Sequence, residues 1–220
     1  MQIAIFTLFP EFFATPLQSS ILQRAQESGV VSYQIIDIRA FSLSKHKVTD
    51  DRPFGGGPGM VLMIEPIDRA LAAWRESLPA GATTRVVVTS AKGRAFTQQV
   101  ATEYTAVDAL AIICGHYEGI DERVINHLAD EEVRIGDFVL TGGEPAALVM
   151  ADAVTRLLPG VLGNEASNKD ESHTEPGVMG YPQYTRPAEY KGWKVPEVLL
   201  GGNHAEIEAW RAAQKRLSHE

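Results

Sequence analysis

Three short glycine-bearing stretches each follow an apolar, strand-like run. They are Ser90-Ala91-Lys92-Gly93-Arg94, Gly115-His116-Tyr117-Glu118-Gly119-Ile120-Asp121, and Ile135-Gly136-Asp137-Phe138-Val139-Leu140-Thr141-Gly142-Gly143. In an open α/β sheet, ligands bind beyond the carboxyl ends of the strands, and glycine lets backbone approach a ligand closely. Together, three such loops could cup a small planar molecule with backbone amides and carbonyls. One loop alone is as often only a tight turn, so the reading rests on the set. A fourth cluster, Gly55-Gly56-Gly57-Pro58-Gly59, lacks the Lys-Ser/Thr of a phosphate loop, and no GxGxxG occurs. Nucleoside-triphosphate and dinucleotide chemistry is therefore disfavoured.

Other chemistries have less support. His46, His116, His127, His173, His204 and His219 show neither HxxxH nor HExxH spacing, so no metal site is expected. There is no GxSxG elbow. The single cysteine, Cys114, cannot form an internal disulfide or a thiolate cluster. It closes a buried-looking run and reads as a packed thiol rather than a nucleophile.

These loops need a sheet to carry them. Residues 3–9, 31–38, 85–90, 109–114 and 132–136 read as strands. Helices fit residues 16–28, 65–77, 97–103, 123–128 and 144–158, the last stopped by Pro159-Gly160. Strands alternating with helices imply an α/β fold with a mainly parallel sheet and helices on both faces. Residues 42–60 form a long polar loop, basic at its start and glycine-rich at its end; such loops are usually functional. The polar, proline-bearing segment that follows residue 163 reads as a linker or active-site segment. Residues 205–217 are helix-like and belong to a small C-terminal unit.

The chain has 220 residues, 45% of them hydrophobic and 22% charged. That composition suits a folded globular protein and excludes general disorder. No apolar run approaches the ~20 residues needed to span a bilayer, and the N-terminus lacks signal-peptide features, so a cytoplasmic protein is expected. A net charge of −8 counts against non-specific nucleic-acid binding, while leaving room for a local basic surface.

Several motifs are specific enough to carry a resemblance. Thr49-Asp50-Asp51-Arg52-Pro53-Phe54-Gly55-Gly56-Gly57-Pro58-Gly59-Met60 resembles the signature loop of bacterial tRNA (guanine-N1)-methyltransferases. Cys114 to Arg123, Ile135 to Glu144 and Leu158-Pro159-Gly160-Val161-Leu162-Gly163 resemble further signatures, as do Tyr184-Thr185-Arg186-Pro187 and Val195 to His204. The match runs in order from residue 1 to about 212. The resemblance implies a knotted SPOUT-class fold, with a deep trefoil knot in the α/β domain. It also implies a homodimer whose active site is shared between subunits, S-adenosylmethionine as methyl donor, and tRNA with guanine at position 37, next to the anticodon, as substrate. The implied layout is a donor-binding domain over residues 1–162, an active-site segment over 163–190 and a small tRNA-binding unit over 191–220.

Carried over residue by residue, the resemblance puts the donor against Val88, Thr89, Ser90, Ala91, Tyr117, Gly119, Ile135, Gly136, Phe138, Leu140, Gly142, Gly143 and Pro145. The target guanine would meet Glu118, Arg156 and the acidic pair Asp170-Glu171. Guanine N1 carries a proton at neutral pH, so a base must remove it; a carboxylate suits this when burial raises its pKa. Negative charge then grows on O6, where an Arg stabilises it. By itself Arg156 reads as a helix-end cation favourable to the dipole, and the pair 170/171 as a solvated acidic linker. The resemblance also allows a magnesium ion at Glu118, a thin site for an ion that keeps several waters.

Three departures bear on function. Relatives commonly have Asp immediately before the Ser that matches Ser172; here Glu171 stands there and Asp170 precedes it, so either serves as the base. His116 stands where many relatives have Arg. The chain stops at Glu220, where relatives usually continue, which leaves Lys45, His46, Lys47 and Arg52 as candidate phosphate contacts. These departures motivate a competing reading, a binding module that keeps donor or RNA but has lost turnover.

Overall fold

The computed structural model describes residues 1–163 and 171–217. The chain divides into two compact units, Met1–Gly163 and Asn164–Glu220.

In the first unit, β1 (Gln2–Thr7), α1 (Ser20–Glu27) and β2 (Ser32–Asp37) come first, followed by the short pair β3 (Asp50–Asp51) and β4 (Val61–Leu62). Next come α2 (Ile64–Ser77), β5 (Thr84–Ala95), α3 (Gln98–Tyr104), β6 (Ala109–Ile113), α4 (Glu122–His127), β7 (Glu131–Arg134) and α5 (Glu144–Thr155). Five strands form one sheet in the order β2-β1-β6-β5-β7, and every pairing is parallel.

Alternate side chains of a strand face opposite sides, and here both sides are apolar. Ile3, Ile5, Val87, Leu110 and Ile112 pack with residues of α1, α3 and α5, including Leu22, Val100 and Met150. Ala4, Phe6, Val86, Val88, Ala111 and Ile113 pack on the other face with Ile67, Leu71 and Trp74 of α2 and Val124 of α4. A sheet covered on both faces needs near-continuous apolar strands, and the runs in this chain meet that need.

Three elements differ from the sequence expectation. The helix over 16–28 is interrupted: Pro16–Gln18 is a 3₁₀ turn, and α1 starts only at Ser20, whose φ is 50°. The helix over 144–158 ends at Thr155. There the Tyr33 hydroxyl shares a 2.6 Å hydrogen bond with Thr155 Oγ1, and burial pushes Tyr33 up to about 12. The strand over 85–90 runs on to Ala95 because Val133 pairs with both Thr89 and Arg94. The four residues between them, 90–93, leave the ladder as a bulge. Gly93 sits so close to the backbone of Glu132 and Val133 that a Cβ there would collide with it.

The second unit contains β8 (Val178–Met179), β9 (Glu189–Tyr190), β10 (Trp193–Lys194), α6 (His204–Gln214) and β11 (Arg216–Leu217). β9 and β10 form a hairpin around Lys191-Gly192, whose φ values of 52° and 84° suit a type I′ turn. Asn203 Oδ1 caps α6 by accepting from the Ala205 N–H at 3.2 Å. The helix-like run expected over 205–217 ends at Gln214, and Arg216–Leu217 pairs with β8 instead. None of residues 171–215 is buried. Among the described residues no helix is long and apolar enough to cross a membrane.

Candidate functional site

The bulge of β5 and the loops that leave the carboxyl ends of β6 and β7, three adjacent strands, line one cavity of about 520 Å³. Thr89 stands at its floor, only 5% exposed. Its Oγ1 donates to the Ile113 carbonyl at 3.2 Å and accepts from the Gly115 N–H at 3.1 Å. The Gly143 N–H donates to the Gly115 carbonyl at 2.7 Å, and His116 and Gly142 form an isolated bridge. One buried hydroxyl therefore ties β5, just before its bulge, to the end of β6, and the segment entering α5 is laced onto the same loop.

The glycines are required by this closeness. A Cβ on Gly143 would collide with Thr89 Oγ1 and the backbone of Gly115 and Cys114. A Cβ on Gly115 would lie 2.9 Å from the Thr89 carbonyl, and one on Gly136 would strike the Phe138 ring. Tyr117, Phe138, Val139 and Leu140 stay exposed around the opening, an apolar rim suited to an aromatic ring.

Polar groups line the walls. Lys92 Nζ lies 2.8 Å from Glu122 and 3.8 Å from Glu132, and the hydrogen bond to Glu122 holds its ammonium above the usual range. Arg134 Nε donates to Asp137 at 2.8 Å, while its guanidinium also meets the Gly93 carbonyl. Beneath the loops, buried Glu144 accepts from Thr7 Oγ1 at 2.7 Å. Burial first, and then the charge of Glu144, push the Cys114 thiol well up. Cys114 is thus a packed thiol, as its place at the strand end suggests.

Of the thirteen residues assigned to the donor by resemblance, all but Pro145 line this cavity. Pro145 occupies the first turn of α5. Glu118 lines the cavity too. Arg156 does not: it caps the opposite end of α5, and a 12-residue helix spans about 18 Å. Glu171 belongs to the second unit and lines a small recess with Thr174, Glu175, Val178 and Lys215. Asp170 lies outside the described residues. Among the described residues, no three His, Cys, Asp or Glu side chains gather as a metal site.

The buried Thr7–Glu144 pair was not anticipated. Its signals were a lone hydroxyl inside the run Ile3 to Phe9 and an acid at the first position of a helix, each readable in the sequence but not as a pair.

A parallel sheet with glycine loops from three neighbouring strand ends around one cavity defines an α/β ligand-binding enzyme of the open-sheet type. The profile of the tRNA (Guanine-1)-methyltransferase TrmD family matches residues 1–219. A tRNA (guanine-N(1)-)-methyltransferase of Staphylococcus epidermidis is 50% identical over 99% of this chain and 86% of its own length. Proteins of the same name from Halalkalibacterium halodurans and Dehalococcoides mccartyi are 50% and 51% identical over 97% and 96% of the chain, covering 86% and 84% of theirs. The chain belongs to the tRNA (guanine-1)-methyltransferase family.

Proposed function

We propose that this chain, a SPOUT-class tRNA (guanine-N1)-methyltransferase by family, modifies guanine at position 37 of tRNA in the cytoplasm, and does so as a homodimer with a deeply knotted sheet. Methyl transfer to guanine N1 of tRNA, from S-adenosylmethionine, follows from family membership. The position, the dimer, the knot, the compartment and the residue roles are our reading. The single observation that carries the site is the cavity at the strand ends, cradled by glycines that have no room for a Cβ and rimmed by exposed apolar side chains.

That cavity fits the donor. Val88, Thr89, Ser90, Ala91, Tyr117, Gly119, Ile135, Gly136, Phe138, Leu140, Gly142 and Gly143 line it, with Pro145 in the adjoining helical turn. When bound, the donor supplies an electrophilic methyl group on a sulfonium. The chain's own residues do the remaining work. Asp170 or Glu171 takes the N1 proton, a step typically worth ~10²–10⁴-fold in rate. The Arg156 guanidinium steadies the negative charge that grows on O6. Glu118, at the cavity wall, orients the base. Among the described residues no three His, Cys, Asp or Glu side chains gather around Glu118, and no step runs through a magnesium ion.

Distance supports the dimer reading. Arg156 stands about one helix length from the cavity at the start of α5, and in this reading a second copy of the chain brings its Arg156 to that cavity. The exposed Tyr184, Tyr190 and Trp193 of the second unit suit a unit completed by other surfaces. In this reading residues 1–162 hold the donor, residues 163–190 bring the acidic pair, and residues 191–220 grip tRNA.

Labelled S-adenosylmethionine incubated with a transcript carrying guanine at 37, and with the same transcript carrying adenine there, tests the reading. Label in the first RNA only is expected. Donor binding by calorimetry with label in neither would make the chain a binding module.

A further inference from the structure

We propose that Gly59 is a positioning residue for Glu118, so that the glycine-rich loop sets where this carboxylate stands. The inference rests on the reading above that Glu118 orients the target base.

The loop is fastened to the cavity wall by backbone. β3 and β4 pair antiparallel at its base, and the Met63 N–H donates to the Thr49 carbonyl at 2.8 Å. From there the chain is laced to the stretch that carries Glu118. The Glu118 N–H donates to the Met60 carbonyl at 3.0 Å, the Leu62 N–H to the Gly119 carbonyl at 2.9 Å, and the Asp121 N–H to the Leu62 carbonyl at 2.9 Å. Glu118 itself is exposed, so its side chain is not confined by a packed core. It lies instead against Gly59, in the space a side chain there would take: a Cβ added at residue 59 would lie 2.5 Å from both Cγ and Oε1 of Glu118, and 2.9 Å from Cδ.

The neighbouring glycines supply a built-in control. Gly55, Gly56, Gly57 and Gly59 all have positive φ, at 86°, 80°, 125° and 76°. Yet a Cβ on any of the first three would meet nothing within 4 Å. Gly56 and Gly59 thus share a backbone requirement that favours glycine, and only Gly59 also presses on Glu118. A methyl group at residue 59 displaces a flexible side chain rather than backbone. The fold survives and the carboxylate moves.

The test compares Gly59→Ala, Gly56→Ala, Glu118→Ala and the double variant Gly59→Ala/Glu118→Ala in the full chain. It measures kcat, KM for tRNA, donor affinity by calorimetry and Tm. The expected result is a kcat at least tenfold lower in Gly59→Ala than in Gly56→Ala, with equal Tm shifts and donor affinities within twofold. In the Glu118→Ala background, Gly59→Ala should change kcat no further, because residues acting through one contact are not additive. Equal kcat in the two glycine variants would overturn the proposal, as would a full Gly59→Ala effect when Glu118 is already gone. Parent-level kcat in Glu118→Ala would instead overturn the premise, the role of Glu118 itself.

Discussion

In the first unit, Thr89 is almost wholly buried and a single hydroxyl joins two strands. In the second unit none of residues 171–215 is buried, and Trp193 is 72% exposed. The first unit carries its own two cores, one on each face of the sheet. The second rests on two-residue ladders and one capped helix. A cavity that must hold a small ligand the same way at every turnover needs backbone that cannot relax, and only a two-sided core provides that. If the second unit grips tRNA as proposed, it can stay open and take its order from what binds it. The difference predicts that equivalent changes in the two units have very unequal consequences.

Glycine-to-alanine substitution is the sharpest comparison. Gly143→Ala drives a methyl group into Thr89 Oγ1 and the backbone of Gly115 and Cys114. Overpacking of this kind costs about 1–3 kcal/mol, and here it also deforms the cavity floor. Donor affinity is expected to fall more than about a hundredfold, a loss of at least ~2.7 kcal/mol, with a lower Tm. Gly201, in the second unit, has only ordinary contacts at 3.9 Å. Gly201→Ala should leave donor affinity and Tm as they are. Calorimetry and a thermal melt read both, and a Gly143→Ala chain that binds donor normally would break the comparison.

Arg156→Ala comes next. Turnover should drop by roughly two orders of magnitude, about 2.7 kcal/mol of transition-state stabilisation, while donor affinity stays within about twofold. Mixing Arg156→Ala chains with Gly143→Ala chains sharpens the result. If sites are shared between copies, hybrid dimers carry one intact site, and about a quarter of parent turnover returns. No recovery on mixing would confine each site to one chain. The acidic pair is a smaller step: Asp170→Asn and Glu171→Gln should differ at least about tenfold in kcat, since one carboxylate alone serves as base. Equal, unimpaired rates would send the N1 proton elsewhere.

How much of this was legible depends on the range of the interactions. The parallel sheet was, because strands buried on both faces must be apolar at every position, and the runs Ile3 to Phe6 and Ala109 to Ile113 are. The cavity loops were too, because each glycine-bearing stretch follows an apolar, strand-like run. The length of β5 was not: residues 91–94 read as a turn, and only the later pairing of Arg94 with Val133 brings the chain back to the ladder. Nor was the break before α1, where Pro16 starts a separate 3₁₀ turn. Arg156 stands at the limit. A cation at a helix end has a complete local explanation in the dipole, so only family resemblance distinguishes it, and its distance from the cavity appears once α5 is built.

The last comparison concerns Cys114, which follows the last residue of β6, packs in one of the two cores and stands just before the loop that carries Glu118. Burial and the nearby Glu144 raise its thiol well above the ordinary range. Raising an acid's pKa keeps it protonated, and the thiolate is the reactive form. At pH 8 the native protein should therefore resist a thiol reagent that labels the same chain readily in denaturant. Labelling should speed up with denaturant as the sheet opens. Labelling of the native protein at a rate that denaturant leaves unchanged would instead mean that the strand end opens locally. The loops above it would then be as loosely held as the second unit, and the rigidity assigned to the cavity floor would be lost.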